Sequence, residues 1–577
     1  MTPFSSRPDL TNLILAVVMS VIILVGWQVF FEAPNQKILK EKMKQEELLK
    51  AEREAAQNAF KDAQGNPDRK RQRQVLIDSN PRVNINSSKL HGSISLRGLR
   101  FDDLTLVNYR EKLEKDSDEV VLFSPSGYFD VYFTEFGWVS SNPSLALPNT
   151  DTIWTADKKE LTSDSPVTLS WKNDQGVLFE VKIALDKDYM FTVDQRVTNA
   201  SGAEISIQPY AFINRYYPKN HPHNYILHEG PMGVFDKQLV ESPYQKLAEK
   251  TEEVLSNPSW LGISDKYWLT ALVPAQKNIA SKFSYYYSKG QDRFQVETLN
   301  PASVLAAGKD LQTTTRLFAG AKELPLLEKY RTEFDITLFD RAVDFGVLYF
   351  MTKPIFMTLN YFYSHIGNFG LALMLLTVLI KLMMYPLANK SYVAMSQMKR
   401  FQPEMTRIRE QYTDDKMRMN QEIMAMYKRE KVNPAAGCLP MLIQIPVFFA
   451  LYKVLFVTIE MRHAPFYGWI KDLSAPDPTN IFTLFGLIDW MPPTFMHIGV
   501  LPILFSISMA IQYSLNPTPT DPMQAKVFKW MPWLFLFLFA GFPAGLVLYW
   551  VWSNSLSIIQ QKIIMARYNA KHKSKNT

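Results

Sequence analysis

Cysteine occurs once in the 577 residues, at Cys438, which excludes an internal disulfide and any cysteine-based metal cluster and leaves the redox compartment open. Also missing, from the region of about 82–320, are the short motifs of covalent and nucleotide chemistry: there is no nucleophile elbow, phosphate loop or dinucleotide fingerprint there. With no nucleophile and no cofactor motif, the expectation is a protein that is not an enzyme. His221, His223 and His228 come nearest to a metal site. Pro222 intervenes, however, and no i,i+4 pair or neighbouring cysteine completes a zinc set, so a loop with surface histidines is expected. The net charge of +7 is not gathered into an aromatic-interleaved patch. Its basic residues stand beside apolar runs, where membrane topology explains them and sequence-specific nucleic-acid binding does not.

A near-neutral mean hydropathy hides two unlike halves. Residues 13–31 are an apolar run of about 19 residues with no following A-x-A cleavage pattern, which reads as an uncleaved transmembrane anchor over 1–31. Residues 32–80 mix Lys, Arg, Glu, Gln and Ala and fray around Gly65-Asn66-Pro67, a polar charged linker. From 81 to 335, short runs with period two, such as Tyr128-Phe129-Asp130-Val131-Tyr132-Phe133, alternate with turn clusters such as Asn173-Asp174-Gln175-Gly176. That pattern predicts a large antiparallel β-sandwich. Over 336–367 the period turns helical, with Phe345, Leu348, Met351, Ile355 and Leu359 set against Asp344, Thr352 and Asn360. This amphipathic stretch suits a membrane surface and is expected to bend at Pro354.

Residues 368–577 have the composition of a polytopic membrane protein, with apolar runs at 368–387, 438–459, 498–515, 531–542 and 545–564; the N-terminal anchor brings the spans to six. A polar helical hairpin, 388–431, follows the first of these runs and turns at Thr413-Asp414-Asp415. Met398, Phe401, Met405, Ile408 and Tyr412 on one arm, and Met419, Ile423, Met426 and Tyr427 on the other, recur at three- and four-residue steps and predict a shared seam. Methionine surfaces adapt to varied apolar ligands, so Met398, Met405, Met419 and Met426 either fill that seam or touch a substrate. The hairpin holds about ten Lys and Arg, and the 565–577 tail adds Arg567, Lys571, Lys573 and Lys575. This bias puts hairpin, tail and both termini in the cytoplasm and the β-domain outside.

One charge, Lys381, breaks the 368–387 run, six residues inside Leu387 and so roughly 9 Å from its end in a continuous helix. A lysine at the centre of a span costs about 2.5–3.5 kcal/mol, and it faces a bundle interior or wet cavity unless its stem snorkels to the interface. An ion-coupled transporter would use such a cation. It would usually need an intramembrane acid or paired repeats as well, and these runs contain no Asp or Glu and no matching halves. What they contain is mild polarity: Thr377 one turn before Lys381, then Gln444, Ser506, Ser508, Gln512, Tyr549, Ser553 and Asn554. If Gln444 and Tyr549 face Lys381, the bundle holds a weakly polar groove that eases a short hydrophilic segment part-way through the bilayer. Taken singly, the same residues are ordinary interhelical hydrogen-bonders.

Three motifs in order carry a resemblance. They are Leu379-Ile380-Lys381-Leu382-Met383-Met384-Tyr385-Pro386-Leu387, then Lys431-Val432-Asn433-Pro434-Ala435-Ala436-Gly437-Cys438-Leu439-Pro440 leading to Gln444-Ile445-Pro446, and Phe542-Pro543-Ala544-Gly545-Leu546-Val547-Leu548-Tyr549-Trp550 with Ser553-Asn554. Together they resemble the YidC family of membrane protein insertases, over essentially the whole chain and most closely from about 340 onward. The resemblance implies the Gram-negative form: a six-span α-helical protein of the bacterial inner membrane with a five-helix insertase core and a large periplasmic β-supersandwich. It implies insertion and chaperoning of inner-membrane proteins, alone or with the Sec translocon, with nascent chains and lipid as partners and no cofactor. It further implies a groove open to cytoplasm and lipid, its positive charge at Lys381 and its passenger contacts at Thr377 and Tyr549. Many members have Arg at the first of these positions, and Trp550 stands where some have a second Tyr. The 388–431 hairpin matches a cytoplasmic coiled-coil region implicated in passenger capture and in contact with ribosomes or targeting factors.

Overall fold

A computed structural model describes residues 67–114, 116–218, 227–288, 291–430, 439–488, 490, 498–516 and 522–573. The anchor at 13–31, most of the 32–80 linker, His221, His223, the 431–438 motif and Lys575 lie outside the described residues. What is described of the linker is a helix, α1 (Pro67–Asp78), which opens on a proline, the residue whose fixed φ and missing N–H suit a first helical position.

The period-two runs pair into an eleven-stranded and a nine-stranded sheet. Strand pairing is antiparallel apart from a two-residue match of Asn84 and Ile85 with Glu160 and Leu161. Along Val177–Leu185, every second residue is buried, as the alternation requires when one face of a sheet meets a core. Phe101 of the larger sheet meets Phe191 of the smaller one edge-on at 5.4 Å, which marks the aromatic layer between them. The turn expected at 173–176 forms: the Asn173 side chain accepts from the amides of Gln175 (3.1 Å) and Val177 (2.8 Å). Gly176 there takes φ +89°, a left-handed value that a Cβ would penalise. The alternation at 128–133 overestimates its strand, which begins only at Tyr132. Upstream, the Tyr128 amide closes a turn onto the Pro125 carbonyl (3.1 Å), so Tyr128 and Phe129 leave the ladder.

Two short helices, α2 (Tyr244–Lys250) and α3 (Leu324–Glu333), flank the sheets. Next comes α4 (Tyr349–Ile366), whose faces differ from the expected ones: Thr352, expected on the polar side, is buried with Phe356 and Leu359, while the large apolar side chains Phe350, Met357 and Tyr361 are exposed. Pro354, the expected bend, lies inside this one helix and does not end it, and α4 packs on α5 (Phe369–Met383) and α9 (Leu439–Val457).

The apolar run at 368–387 is not one helix. After α5 the chain turns by 66° into α6 (Tyr385–Arg400). Pro386 explains the break, because it donates no amide and its ring would meet the carbonyl of Leu382 if α5 went on. The hairpin's first arm divides for the same reason, Pro403 opening α7 (Gln402–Gln411) just after α6 ends. Its second arm is α8 (Lys416–Arg429), capped by Asp415, whose carboxylate accepts from the Arg418 amide at 3.0 Å. The remaining helices are α10 (Val500–Leu515), α11 (Pro522–Phe539) and α12 (Ala544–Lys573). No single helix among the described residues is long and apolar enough to cross a membrane; α5 and α6 meet that test only as a bent pair.

Candidate substrate groove

Lys381 lies two residues before α5 ends, close to the α5–α6 elbow rather than deep in a straight span. Its ammonium donates to Ser557 Oγ (2.9 Å) on α12 and to Gln444 Oε1 (3.4 Å) on α9. The Gln444 amide turns its other end, Nε2, to the Tyr549 hydroxyl, also on α12. Gln444 suits this place because an amide offers an acceptor to the cation and a donor to the phenol at once. Three helices therefore converge on one cation through neutral groups, and none of the ion pairs among the described residues involves Lys381. The Trp552 indole fastens α12 to α5 from another side, donating to the Met374 carbonyl at 3.1 Å.

Thr377 is buried one turn below Lys381, and its hydroxyl back-bonds to the Leu373 carbonyl (2.7 Å). It lines the same helix face but makes no side-chain link to the network. Trp550 points elsewhere, into an aromatic cluster with Phe448, Phe505 and Phe539 at 5.1 to 5.8 Å, where its indole nitrogen has no hydrogen-bond partner among the described residues. A second polar link, Asn554 Nδ2 to Ser508 Oγ at 3.0 Å, ties α12 to α10.

In the hairpin, Met398, Met405 and Met426 are buried in a seam with Ile423 and Tyr427, and Met419 packs on it partly buried. Ile564 of α12 joins the same cluster, so the seam also seats the hairpin on the bundle. Met417 and Met424 face outward instead, 74% and 50% exposed.

His228 is not a surface histidine. It is buried, its ring bonded to the Pro231 carbonyl (3.1 Å), its amide donating to Asp344 (3.0 Å), and burial pushes its pKa down to about 4. No cluster among the described residues could hold a metal ion.

Four residues escaped the sequence reading. Ser557 had a signal, since Tyr549, Ser553, Ser557 and Gln561 recur at four-residue steps along one helix face. Lys453, a second cation in an apolar run, pairs with Asp344 at 3.0 Å, a partner more than a hundred positions away that no local pattern reveals. Outward-facing Met417 and Met424 could have been separated from the seam by helix phase.

Two family models match in series, the YidC periplasmic domain over residues 82–358 and the 60Kd inner membrane protein over residues 361–572. The class is thus an inner-membrane protein with a periplasmic domain. The membrane protein insertase YidC of Rickettsia bellii is 49% identical over 562 residues, covering 96% of this chain and 99% of that protein. The corresponding Rickettsia felis protein is also 49% identical, over 565 residues, with the same coverage. The chain belongs to the YidC family of membrane protein insertases. A crystal structure of an active YidC insertase with its first transmembrane domain resolved covers 83% of this chain and 92% of its own, at 16% identity and a TM-score of 0.35.

Proposed function

We propose that this chain inserts proteins into the bacterial inner membrane and chaperones their folding, alone or beside the Sec translocon, by passing short hydrophilic segments through a groove at Lys381. The observation that carries the reading is a single ammonium held by Ser557 and Gln444 with no carboxylate paired to it among the described residues. A cation with neutral partners keeps its charge for a visitor, and in a low-dielectric setting it attracts acidic residues of a nascent chain. Such partners offer no acid for a proton relay, so ion-coupled transport finds no support. No covalent step is needed, because a hydrogen-bonding groove lowers the cost of bringing polar backbone and side chains into the bilayer.

In this proposal the anchor and the five apolar runs make six spans, with the α5–α6 elbow opening the groove to cytoplasm and lipid. The β-domain is periplasmic, and the hairpin, tail and both termini are cytoplasmic, following the Lys and Arg bias. Thr377, Gln444 and Tyr549 contact the passenger, with Trp550 supplying the aromatic wall behind them. Met398, Met405, Met419 and Met426 shape the hairpin that receives nascent chains or meets ribosomes and targeting factors, and exposed Met417 and Met424 supply adaptable apolar contact.

The test is insertion of a single-span passenger with acidic residues into vesicles holding Lys381→Arg, Lys381→Ala or Lys381→Glu protein. Arg is expected to keep insertion near wild type, Ala to lower it and Glu to lower it further. Crosslinks from Thr377 and Tyr549 to a stalled nascent chain are expected in the Arg variant. Full insertion by the Ala and Glu variants would sink the charge argument.

A further inference from the structure

A cavity of about 180 Å³ lies where the β-domain meets the helical core. That is room for about six waters and too little for a drug-sized molecule. Asp130, Arg215, Asp265 and Trp268 line it from the β-domain, Glu111 from the loop after the strand Arg100–Arg110, and Arg462 from the core, five residues beyond the end of α9 at Val457.

The lining is charged on both signs and incompletely paired. Arg215 meets Asp265 at 2.5 Å and lies over the Tyr132 ring at 4.6 Å, yet its enclosed Nε has no hydrogen-bond partner among the described residues. Arg462 donates to the Glu111 carbonyl (3.3 Å) and stands 5.5 Å over the Trp268 ring. The Glu111 carboxylate accepts only from the Val121 amide (3.3 Å), and that of Asp130 accepts no hydrogen bond among the described residues. Desolvation pushes the pKa of Asp130 and of Glu111 up, and the guanidiniums of Arg215 and Arg462 offset it only in part. One cavity thus presents a carboxylate at Asp130 that accepts no hydrogen bond among the described residues and an enclosed donor at Arg215 that makes none there, with three carboxylates against two guanidiniums in the lining.

We propose that this cavity binds a small zwitterion, an ammonium beside a phosphate ester, with the ammonium at Asp130 and Glu111 and the phosphate at Arg215 and Arg462. A neutral polyol would offer no charge to either the carboxylates or the guanidiniums, whereas a simple anion would face three carboxylates and a simple cation two guanidiniums. The aromatic rings of Tyr132 and Trp268 supply the wall for the short carbon link. Because Arg462 comes from the core and the other groups from the β-domain, the bound zwitterion also clamps the two together. The same chemistry occurs in the ethanolamine phosphate headgroup of a membrane lipid and in free aminoalcohol phosphates.

Calorimetric titration of the full chain in non-ionic detergent with O-phosphoethanolamine is the test, with ethanolamine, inorganic phosphate and glycerol as separate probes. One saturable site is expected, filled more weakly by ethanolamine or phosphate alone. Asp130→Asn and Arg462→Gln are each expected to weaken it about tenfold or more, and Asp130→Asn, which breaks no hydrogen bond or ion pair among the described residues, to do so without change in thermal melting. Absence of saturable binding, equal binding of glycerol, or indifference to both substitutions overturns the proposal. Native mass spectrometry from phosphatidylethanolamine nanodiscs then separates the sources. A lipid kept by the wild type and lost from Asp130→Asn assigns the site to a headgroup; soluble binding without such a lipid assigns it to a free zwitterion.

Discussion

At the scale of single residues, the neutrality around Lys381 is the feature to test. Gln444 is the informative position because one atom changes its charge without changing its shape. Gln444→Glu would place a carboxylate against the ammonium at the present 3.4 Å contact and neutralise it. Insertion of an acidic passenger is expected to fall as in Lys381→Ala, although the lysine remains; insertion at wild-type level would show that the free charge is not what the groove supplies. Glu460 gives a second test at this scale. Enclosed at the junction with the β-domain, its carboxyl is pushed from 4.5 up to about 7 by burial, with Glu323 adding to the push. A raised acid favours the folded protein fully below pH of about 4.5 and loses that advantage as pH rises through about 7. Glu460→Gln is therefore expected to melt near the wild type at pH 5 and above it at pH 8, followed by circular dichroism. Lys381, Gln444 and Tyr549 were legible because each is a polar outlier in an apolar run. Ser557 was less so, since a serine in a helix draws attention only when its four-residue spacing from Tyr549 and Ser553 is counted.

Among the elements, hydrophobic period made the hairpin seam legible but misplaced Thr352 of α4, which is buried, and proline chemistry redrew the boundaries of the helices. The 368–387 run looks continuous when residues are scored for apolarity, but the break at Met384 depends on Pro386 and on a backbone amide that is not there. Pro403 divides the first hairpin arm in the same way. The seam itself makes a clear division between packing and exposed methionines. Met405 is 3% exposed and its sulfur takes the Tyr427 hydroxyl at 3.1 Å, so Met405→Ala is expected to destabilise the hairpin by about 2–5 kcal/mol. Hydrogen exchange at the α7 and α8 amides should accelerate accordingly. Met417→Ser is expected to leave that exchange unchanged and, if outward methionines receive the passenger, to lower crosslinking to a nascent chain.

For the whole molecule, alternation and turn clusters made the β-sandwich legible, and apolar runs made the helical core legible, but nothing in either half announced how they join. The junction is built from side chains far apart in sequence: Lys453 with Asp344, Lys266 over the Phe456 ring at 3.8 Å, and Arg462 against Glu111. Asp344 is the pivot, because it also accepts the His228 amide and so ties the sandwich edge, the chain leading into α4 and helix α9 into one contact. Lys453→Met removes an ammonium from an apolar helix but leaves Asp344 without its counter-charge, and the second effect is the larger, since an uncompensated half-buried carboxylate loses its pairing energy outright. The double variant Lys453→Met with Asp344→Asn removes both charges and is expected to recover much of the loss. Limited proteolysis across 336–348 should be fastest in Lys453→Met, intermediate in the double variant and slowest in wild type. Equal rates in all three would mean that the apolar contacts continuous between sandwich and bundle hold the junction by themselves.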